Sequence, residues 1–288
     1  MDLGPIQITQ TAAAVALLAL LLLAESAHPF FDFFRQRPSE RGRHALRNLA
    51  LGLGNGALVA VVFAGLWVGA AEWTAARGWG LLNLAPLPPW AHAAGAVLLL
   101  DLWTYAWHRA NHAVPFLWRF HRVHHADARM DVTTASRFHT GEIVLSSLLR
   151  IPVLVIVGAT AWELVLYETL MFAVVQFHHA NVGVGPRLDR ALRAVVPTPA
   201  MHKVHHSRWQ RETDSNYGAL FSWWDRLFGS FRLRQRPEEI ELGLNQFPGE
   251  ETVGSLLRMP LAPHYNEDPR EGAPPETAVP PEASGEAA

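Results

Sequence analysis

The chain has 288 residues, of which 50% are hydrophobic and 17% are charged, and its formal net charge is −2. This small net charge offers no basic stripe for a nucleic acid, so we expect no nucleic-acid partner. The chain has no cysteine, which excludes disulfide bonds and thiolate ligands. Nitrogen and oxygen atoms must therefore hold any bound metal ion.

Long apolar runs predict helices that cross a membrane. The first two extend from Ile8 to Ala24 and from Asn48 to Ala71, and both are uncharged. The third, at 90–107, contains Asp101 as its one charged residue, and a longer region at 143–177 fits a helical hairpin. A bilayer requires about 20 apolar residues per helix. We therefore predict an all-α integral membrane protein with about four to five transmembrane or re-entrant helices; buried helices of a soluble protein are the weaker alternative.

The arginines that follow the first apolar run predict its orientation. The segment RQRPSERGRHALR, at 35–47, carries five arginines, and such clusters remain on the cytoplasmic side. The start of the chain, MDLGPIQ, lacks the positive charge of a signal peptide, so we expect an anchoring helix. Alternating spans then place the segments after residues 107 and 177 on the cytoplasmic side. The arginine-rich and alanine-rich composition is typical of a bacterial genome of high GC content, so we expect a bacterial inner membrane.

Three regions follow from this organisation. Residues 1–98 are expected to form N-terminal membrane anchor helices and a basic cytoplasmic loop, and residues 99–235 a histidine-rich catalytic region that includes the hairpin. Residues 236–288 form a C-terminal segment. From about residue 263 this segment is rich in proline, glutamate and alanine, so we expect disorder there.

Histidines recur at helical spacing in three short segments. HRANH at 108–112 places two histidines four residues apart, while HRVHH at 121–125 and HKVHH at 202–206 each place three at i, i+3 and i+4. This spacing predicts one helix face per segment. His178 and His179 add a fourth contribution at the end of the hairpin. Imidazole binds iron, zinc, copper and nickel, and the four elements supply more ligands than one tetrahedral ion uses, so two metal ions are favoured.

The histidine segments belong to a longer series of motifs between about Leu99 and Ser230. In chain order these are DLWTYAWHRANH, WRFHRVHH, SRFHTGE, FHHAN, TPAMHKVHH and NYGALFSWWDRLFGSF. The series resembles the fatty acid hydroxylase/sterol desaturase superfamily of integral-membrane diiron enzymes. The resemblance implies a helical membrane anchor with a cytosolic helical cap, two iron ions held between the histidine motifs, and O2-dependent oxidation of a lipid C–H bond. Zinc can occupy such a site in the isolated protein.

The resemblance also assigns roles to individual residues. It implies as metal ligands His108, His112, His121, His124, His125, His179, His202, His205 and His206, with His178 as an uncertain further position. It yields five other candidates for the catalytic site: Asp101, His139, Asn181, Asn216 and Tyr217. At His139 the following Thr140 replaces a proline that is usual in this motif. Asp225 is a further candidate for supporting the site.

Asp101 is a single charge inside an apolar run, seven residues before His108. An unpaired carboxylate is costly inside a membrane, so it requires a partner. We expect this partner to be the second ring nitrogen of a ligand histidine. A polar contact between helices is the alternative.

The expected function is hydroxylation of a lipid or sterol-like substrate from the bilayer, with O2 as co-substrate. The chain has no flavin, haem or nucleotide fingerprint, so two electrons must come from a donor protein such as a ferredoxin or a cytochrome b5-like protein. Desaturation by the same site is an open alternative. A membrane metal-binding or metal-transport protein is a different class, but transporters place their ligands near the bilayer midplane, whereas these histidines cluster at one membrane face.

Overall fold

The computed structural model describes residues 4–35, 37–247 and 252–263. These residues form helices and connecting segments, with two isolated β-bridges and no strand among them. The all-α prediction is therefore confirmed. The disorder expected from about residue 263 concerns residues that lie almost entirely outside the described ranges, and the division into three regions stays a prediction.

Twelve α-helices occupy the described part of the chain. They are α1 (Gly4–Ala27), α2 (Pro38–Leu58), α3 (Ala64–Arg77), α4 (Pro89–Ala113), α5 (Pro115–His125), α6 (Thr140–Val157), α7 (Ala161–His179), α8 (Pro186–Leu192), α9 (Pro199–His205), α10 (Gln210–Thr213), α11 (Trp223–Leu227) and α12 (Val253–Arg258). Short 3₁₀ turns lie at Leu81–Asn83, Val132–Ser136, Pro237–Glu239 and Met259–Leu261.

Three helical segments are long and apolar enough to cross a membrane: Thr9–Ala27, Pro38–Asn83 and Thr140–Val157. The chain is therefore a membrane protein. The second segment joins α2 to α3 through the π-helical turn Val59–Phe63. Helices α4 and α7 are also expected to cross, but they are not among these three segments. The number of four to five spans thus stays a prediction.

Helices α6 and α7 form the hairpin expected across 143–177. Helix α6 ends at Gly158, whose φ of 82° is in the left-handed region that favours glycine. Thr160 and Glu163 then form a capping box that begins α7. A Cβ atom on Gly80 would lie 2.3 Å from the Cα of Gly158, so the connection before α4 needs glycine to approach this turn. The hairpin packs on α4 through a core that includes Leu100, Leu154 and Tyr167.

A buried polar cluster attaches the segment after α5 to helix α2. The Nε2 atom of His44 lies 2.9 Å from each carboxylate oxygen of Asp127. The Asn48 side chain donates to Asp127 at 3.2 Å and to the Thr133 hydroxyl at 3.0 Å. Thr134 also donates to Asp127, at 2.8 Å. Because these groups are all buried, the cluster fixes the end of α5 against the membrane helices.

Candidate metal centre

Four helices bring the histidine segments together. The end of α4 carries HRANH, α5 carries HRVHH, the end of α7 carries His178 and His179, and α9 with its C-terminal cap residue carries HKVHH. Helix α5 begins with Pro115 at its first position. Helix α9 begins with the Thr198 cap followed by Pro199. Both arrangements are favourable helix starts, and they set the short helices in register.

Nine histidines separate into two groups, and within each group one ligand atom per residue lies within 4.8 Å of all the others. The five-histidine group contains His108, His112, His121, His125 and His205. The four-histidine group contains His124, His179, His202 and His206. These are the nine positions that the resemblance assigned to metal ligands. The grouping shows geometry that could hold metal ions; ligation itself stays a prediction.

The segment HRVHH serves both groups, so the expectation of a single face is too simple. His121 and His125 belong to one group and His124 to the other. Successive residues of an α-helix are rotated by about 100°. His124 therefore points to the side of α5 that faces the four-histidine group, and His125 to the side that faces the five-histidine group. HKVHH divides in the same way, with His205 in one group and its two neighbours at i−3 and i+1 in the other.

Unpartnered nitrogens point to metal ions as the missing partners. In the four-histidine group, the Nε2 atom of His179 lies 3.0 Å from the Nε2 atoms of both His124 and His202. In the five-histidine group, the Nε2 atoms of His108 and His205 are buried without a hydrogen-bond partner. Buried polar groups are nearly always satisfied. Because one metal ion can accept lone pairs from several converging imidazoles, the donor set fits a nitrogen-bound transition metal such as iron.

Backbone carbonyls orient three of these rings. The Nδ1–H of His108 donates to the Tyr217 carbonyl at 2.9 Å, and that of His205 donates to the Ser215 carbonyl at 2.6 Å. His179 donates likewise to the carbonyl four residues before it, at 2.7 Å. A carbonyl oxygen can only accept, so the proton lies on Nδ1 and the Nε2 lone pair faces the group.

Burial keeps these imidazoles neutral. It lowers the pKa of His179 and of His205 to about 3. It also holds the pKa values of His124 and His206 well below the ordinary value, with neighbouring histidines as the next cause. Metal ions bind the neutral form of imidazole, so the site is preset for binding at neutral pH.

Glu142 is a supporting residue that the sequence reasoning missed. Its Oε1 atom accepts from the Nδ1–H of His121 at 2.9 Å and from the Asn111 side chain at 3.0 Å. Its Oε2 atom is buried without a hydrogen-bond partner, and Glu142 lines the cavity described below. The signal was present, since Glu142 ends the motif SRFHTGE, but only His139 of that motif was assigned a role.

Asn216 and Tyr217 lie against the five-histidine group. Asn216 has φ 54°, the one non-glycine residue of the described chain with positive φ. Its side chain donates to the carbonyls of Met201 and Arg232, at 2.9 and 2.8 Å, and accepts from the Arg232 amide at 2.9 Å. The Tyr217 ring contacts His112, with ring centroids 5.1 Å apart. These residues hold the loop whose carbonyls orient the histidines.

Asp101 does not contact a histidine, so the expected partner was wrong. Its carboxylate accepts from the amides of Leu220 and Phe221 at 3.1 and 3.0 Å, and from the Trp224 indole at 2.8 Å. Seven helical residues separate Asp101 from His108, or about 10 Å along the axis, which is too far for direct contact. The alternative of a polar contact between elements is therefore correct, and Asp101 anchors the segment before α11.

His139 and Asn181 also lie outside the two groups. The Nδ1 atom of His139 accepts from the Gly141 amide at 2.9 Å and so caps helix α6. The Asn181 side chain accepts from the Phe31 amide at 2.9 Å and donates to the Phe31 carbonyl at 2.8 Å. Each residue thus fixes a segment that carries or borders a histidine, and neither reaches the histidine cluster. A direct catalytic role for them finds no geometric basis.

His178 lies beside the four-histidine group without belonging to it. Its ring stacks on His202, with centroids 3.9 Å apart, and it is buried. It also lines the cavity next to the histidines. Asp225 supports instead the loop beside the five-histidine group, by accepting from the amides of Tyr217 and Gly218 at 2.7 and 2.9 Å.

A cavity of about 590 Å³ connects the histidines with the membrane helices. Residues of α2, α3, α4, α6 and α7 line it. Its apolar wall includes Val59, Trp67, Trp103, Trp107, Met171 and Phe172. The histidines at its end are His108, His121, His124, His178, His179 and His202. The volume and apolar lining suit a lipid-sized apolar ligand.

The membrane helices and the two histidine groups define an all-α membrane protein with a histidine cluster that could hold metal ions. The fatty acid hydroxylase family model matches residues 93–230. This region, just under half of the chain, is similar to a fatty acid hydroxylase domain, and the resemblance to the fatty acid hydroxylase/sterol desaturase superfamily is confirmed.

Several characterised relatives share this region. Ornithine lipid hydroxylase OlsE of Rhizobium tropici is 28% identical over 57% of this chain and 47% of its own length. Alkylglycerol monooxygenase of Homo sapiens is 30% identical over 57% of this chain and 35% of its own. Cholesterol 25-hydroxylase of Mus musculus is 26% identical over 52% of this chain and 50% of its own. The chain thus spans half or less of these relatives. No solved structure shows a significant match.

Proposed function

We propose that this protein is a membrane-bound diiron oxygenase that hydroxylates a lipid. The observation that carries the proposal is the pair of converging histidine groups at the end of an apolar, lipid-sized cavity. The names of the relatives support the proposal, since they describe lipid hydroxylases and monooxygenases. The substrate is a lipid or sterol-like molecule that enters from the bilayer.

The reaction consumes one lipid C–H bond, one O2, two electrons and two protons, and yields one alcohol and one water. Two iron ions, one in each histidine group, supply the oxidising power that no side chain possesses. Desaturation at the same site is the runner-up; it removes two hydrogens from the lipid and yields two waters from the same O2, electrons and protons.

The chain contributes position, orientation and exclusion of water. The carbonyls of Tyr217, Ser215 and Val175 fix three imidazole rings with their Nε2 atoms toward the groups. Glu142 fixes His121 in the same way. The apolar wall of the cavity holds the alkyl chain against the histidine groups and keeps bulk water away.

In this proposal the electrons come from a separate donor of the ferredoxin or cytochrome b5-like class. We place the protein in a bacterial inner membrane with the histidines at its cytoplasmic face, where such a donor is available. The arginines at 35–47 support this orientation.

Purified protein in detergent tests the proposal. Reconstitution with iron and a reducing system should give O2 consumption and a lipid product heavier by one oxygen; loss of two hydrogens would indicate the desaturase. His124→Ala and His205→Ala each remove a ligand from a different group and should abolish product, whereas the control His28→Ala, outside both groups, should retain it. Lipid oxidation that survives in both ligand variants would refute the proposal. Metal flux in liposomes without O2 consumption would indicate the transport protein instead.

A further inference from the structure

An ion pair lies in the wall of the cavity, away from the histidines. The Arg150 guanidinium of α6 donates to the Glu168 carboxylate of α7, and both residues line the cavity. Their side chains are 14% and 31% exposed. The guanidinium also lies 4.9 Å from the centre of the Trp67 ring. The apolar residues Trp67, Met171 and Phe172 line the same cavity as the pair.

A structural role in holding α6 against α7 does not by itself explain why two charged residues lie here. A buried ion pair can often be replaced by apolar residues without loss of stability, and charged residues inside membrane segments usually mark a binding or transport site. The turn between the two helices is already fixed by Gly158 and the capping box at Thr160. Arginine has five N–H donors, more than the hydrogen bond to Glu168 uses, and Arg150 lines the cavity.

The pair and the histidines occupy opposite ends of the cavity. Arg150 follows Glu142, which contacts His121, by eight residues of α6, or about 12 Å along the helix. Glu168 precedes His179 by eleven residues of α7, or about 16 Å. The two helices therefore give consistent separations. A ligand that reaches from the pair to the histidines must be elongated and apolar between its ends.

We propose that Arg150 and Glu168 form a subsite for the hydroxyl group of an elongated lipid alcohol. A hydroxyl is complementary to both members, since it accepts from the guanidinium and donates to the carboxylate. A carboxylate would accept from Arg150 but would meet the negative charge of Glu168. A hydrocarbon would desolvate the pair without replacing any hydrogen bond. The net neutral pair thus selects a neutral polar group.

This subsite adds a binding preference to the proposed function. Only the position of the oxidised carbon rests on that function. If the histidine groups oxidise the lipid, the carbon they attack lies at the far end from the hydroxyl, about 12–16 Å away. Both a straight-chain alcohol and a ring alcohol carry the required chemistry. Binding of the hydroxyl itself does not depend on iron, so it can be tested without turnover.

Ligand binding to the full-length protein in detergent tests the subsite, by titration with dodecanol, dodecane and dodecanoate. Wild type should bind dodecanol about tenfold or more tightly than dodecane, the value of one hydrogen bond to a charged group, and should disfavour dodecanoate. In Arg150→Met/Glu168→Met the preference for the alcohol should disappear. Each probe also partitions into the detergent, but this effect is the same for every protein. It therefore cancels when the ratio of two probes' affinities is compared between wild type and a variant. Arg35→Gln, which breaks the exposed pair with Asp32, should leave the preference unchanged.

A second variant covers the case in which the double variant does not fold. Glu168→Gln keeps size and removes the negative charge, so dodecanoate should gain affinity relative to dodecanol. A wild-type ratio of these affinities in either variant overturns the subsite. A rigid sterol alcohol as a fourth probe decides between the two sources: tighter binding than dodecanol assigns a ring alcohol, weaker binding a straight chain. Protein that takes up no iron but shows the alcohol preference would refute the oxygenase and leave the subsite standing.

Discussion

Asn216 offers the sharpest test of how the loop after α10 orients the five-histidine group. It stands between Ser215 and Tyr217, whose carbonyls accept from His205 and His108. Its side chain makes three hydrogen bonds to the backbone at Met201 and Arg232. The perturbations are Asn216→Gly, which removes the side chain but tolerates the left-handed backbone, and Asn216→Ala, which removes the side chain and strains the backbone.

The expected loss of stability follows from these contacts. An unpaired buried carbonyl costs about 1–3 kcal/mol and each of the other two hydrogen bonds about 0.5–1.5 kcal/mol, so either variant should lose about 2–6 kcal/mol. Asn216→Ala should lose about 1–2 kcal/mol more, because alanine is strained in the left-handed conformation. Asn216→Gly avoids this strain but loses about 0.5–1 kcal/mol, because glycine gives up more chain entropy on folding. Asn216→Gly should therefore be the more stable variant.

Thermal unfolding and metal analysis provide the assay. The iron content per chain should fall from about two toward about one in both variants, because His108 and His205 lose their orientation. Asn83→Ala is the matched control, since it removes two side-chain hydrogen bonds, to the carbonyls of Trp79 and Gly158, away from the histidines. It should lower stability and leave the iron content intact. Equal iron content in Asn216→Gly and wild type would refute the positioning argument, and higher stability of Asn216→Ala would refute the backbone argument.

Two further predictions concern the histidines directly. Glu142→Ala should weaken metal binding about 10–100-fold, because His121 loses its acceptor; isothermal titration with a divalent metal ion measures this, and unchanged affinity would contradict the assigned role. The metal-free protein should lose stability as pH falls below 6.5, the ordinary pKa, because His179 and His205, with pKa values of about 3, stay neutral when folded and take up protons when unfolded. At pH 5.5 the loss should be about 3 kcal/mol for the two, and a flat unfolding midpoint between pH 7.5 and 5.5 would contradict it.

Local spacing predicted the helices and the three histidine segments, while the family resemblance supplied the set of nine histidines that the structure brings together. Apolar runs and i, i+3, i+4 patterns are readable along the chain. The partners of Asp101 were not readable, since Leu220 and Trp224 lie over a hundred residues away and are brought near by the packing of α4 against the segment before α11. The division of HRVHH between two groups depended likewise on where α7 and α9 meet α5.

Other supporting residues escaped the sequence reasoning for a different reason. Glu142 and Asp127 are ordinary residues by type, and their roles arise only from the buried partners they meet. His139 drew attention because histidine is a common ligand, yet its ring caps α6. Residue type was therefore a good guide inside the dense histidine segments and a poor one outside them.

His108, His179 and His205 donate to backbone carbonyls, and this affects which positions tolerate substitution during evolution. Substitution at Tyr217, Val175 or Ser215 changes a side chain but cannot delete the carbonyl that holds the imidazole. Much of the layer around the histidine groups is thus encoded by the path of the main chain, and these three hydrogen bonds require no particular amino acid at the acceptor positions. Mutational sensitivity should instead concentrate at the few residues that bend this path, above all at the left-handed Asn216.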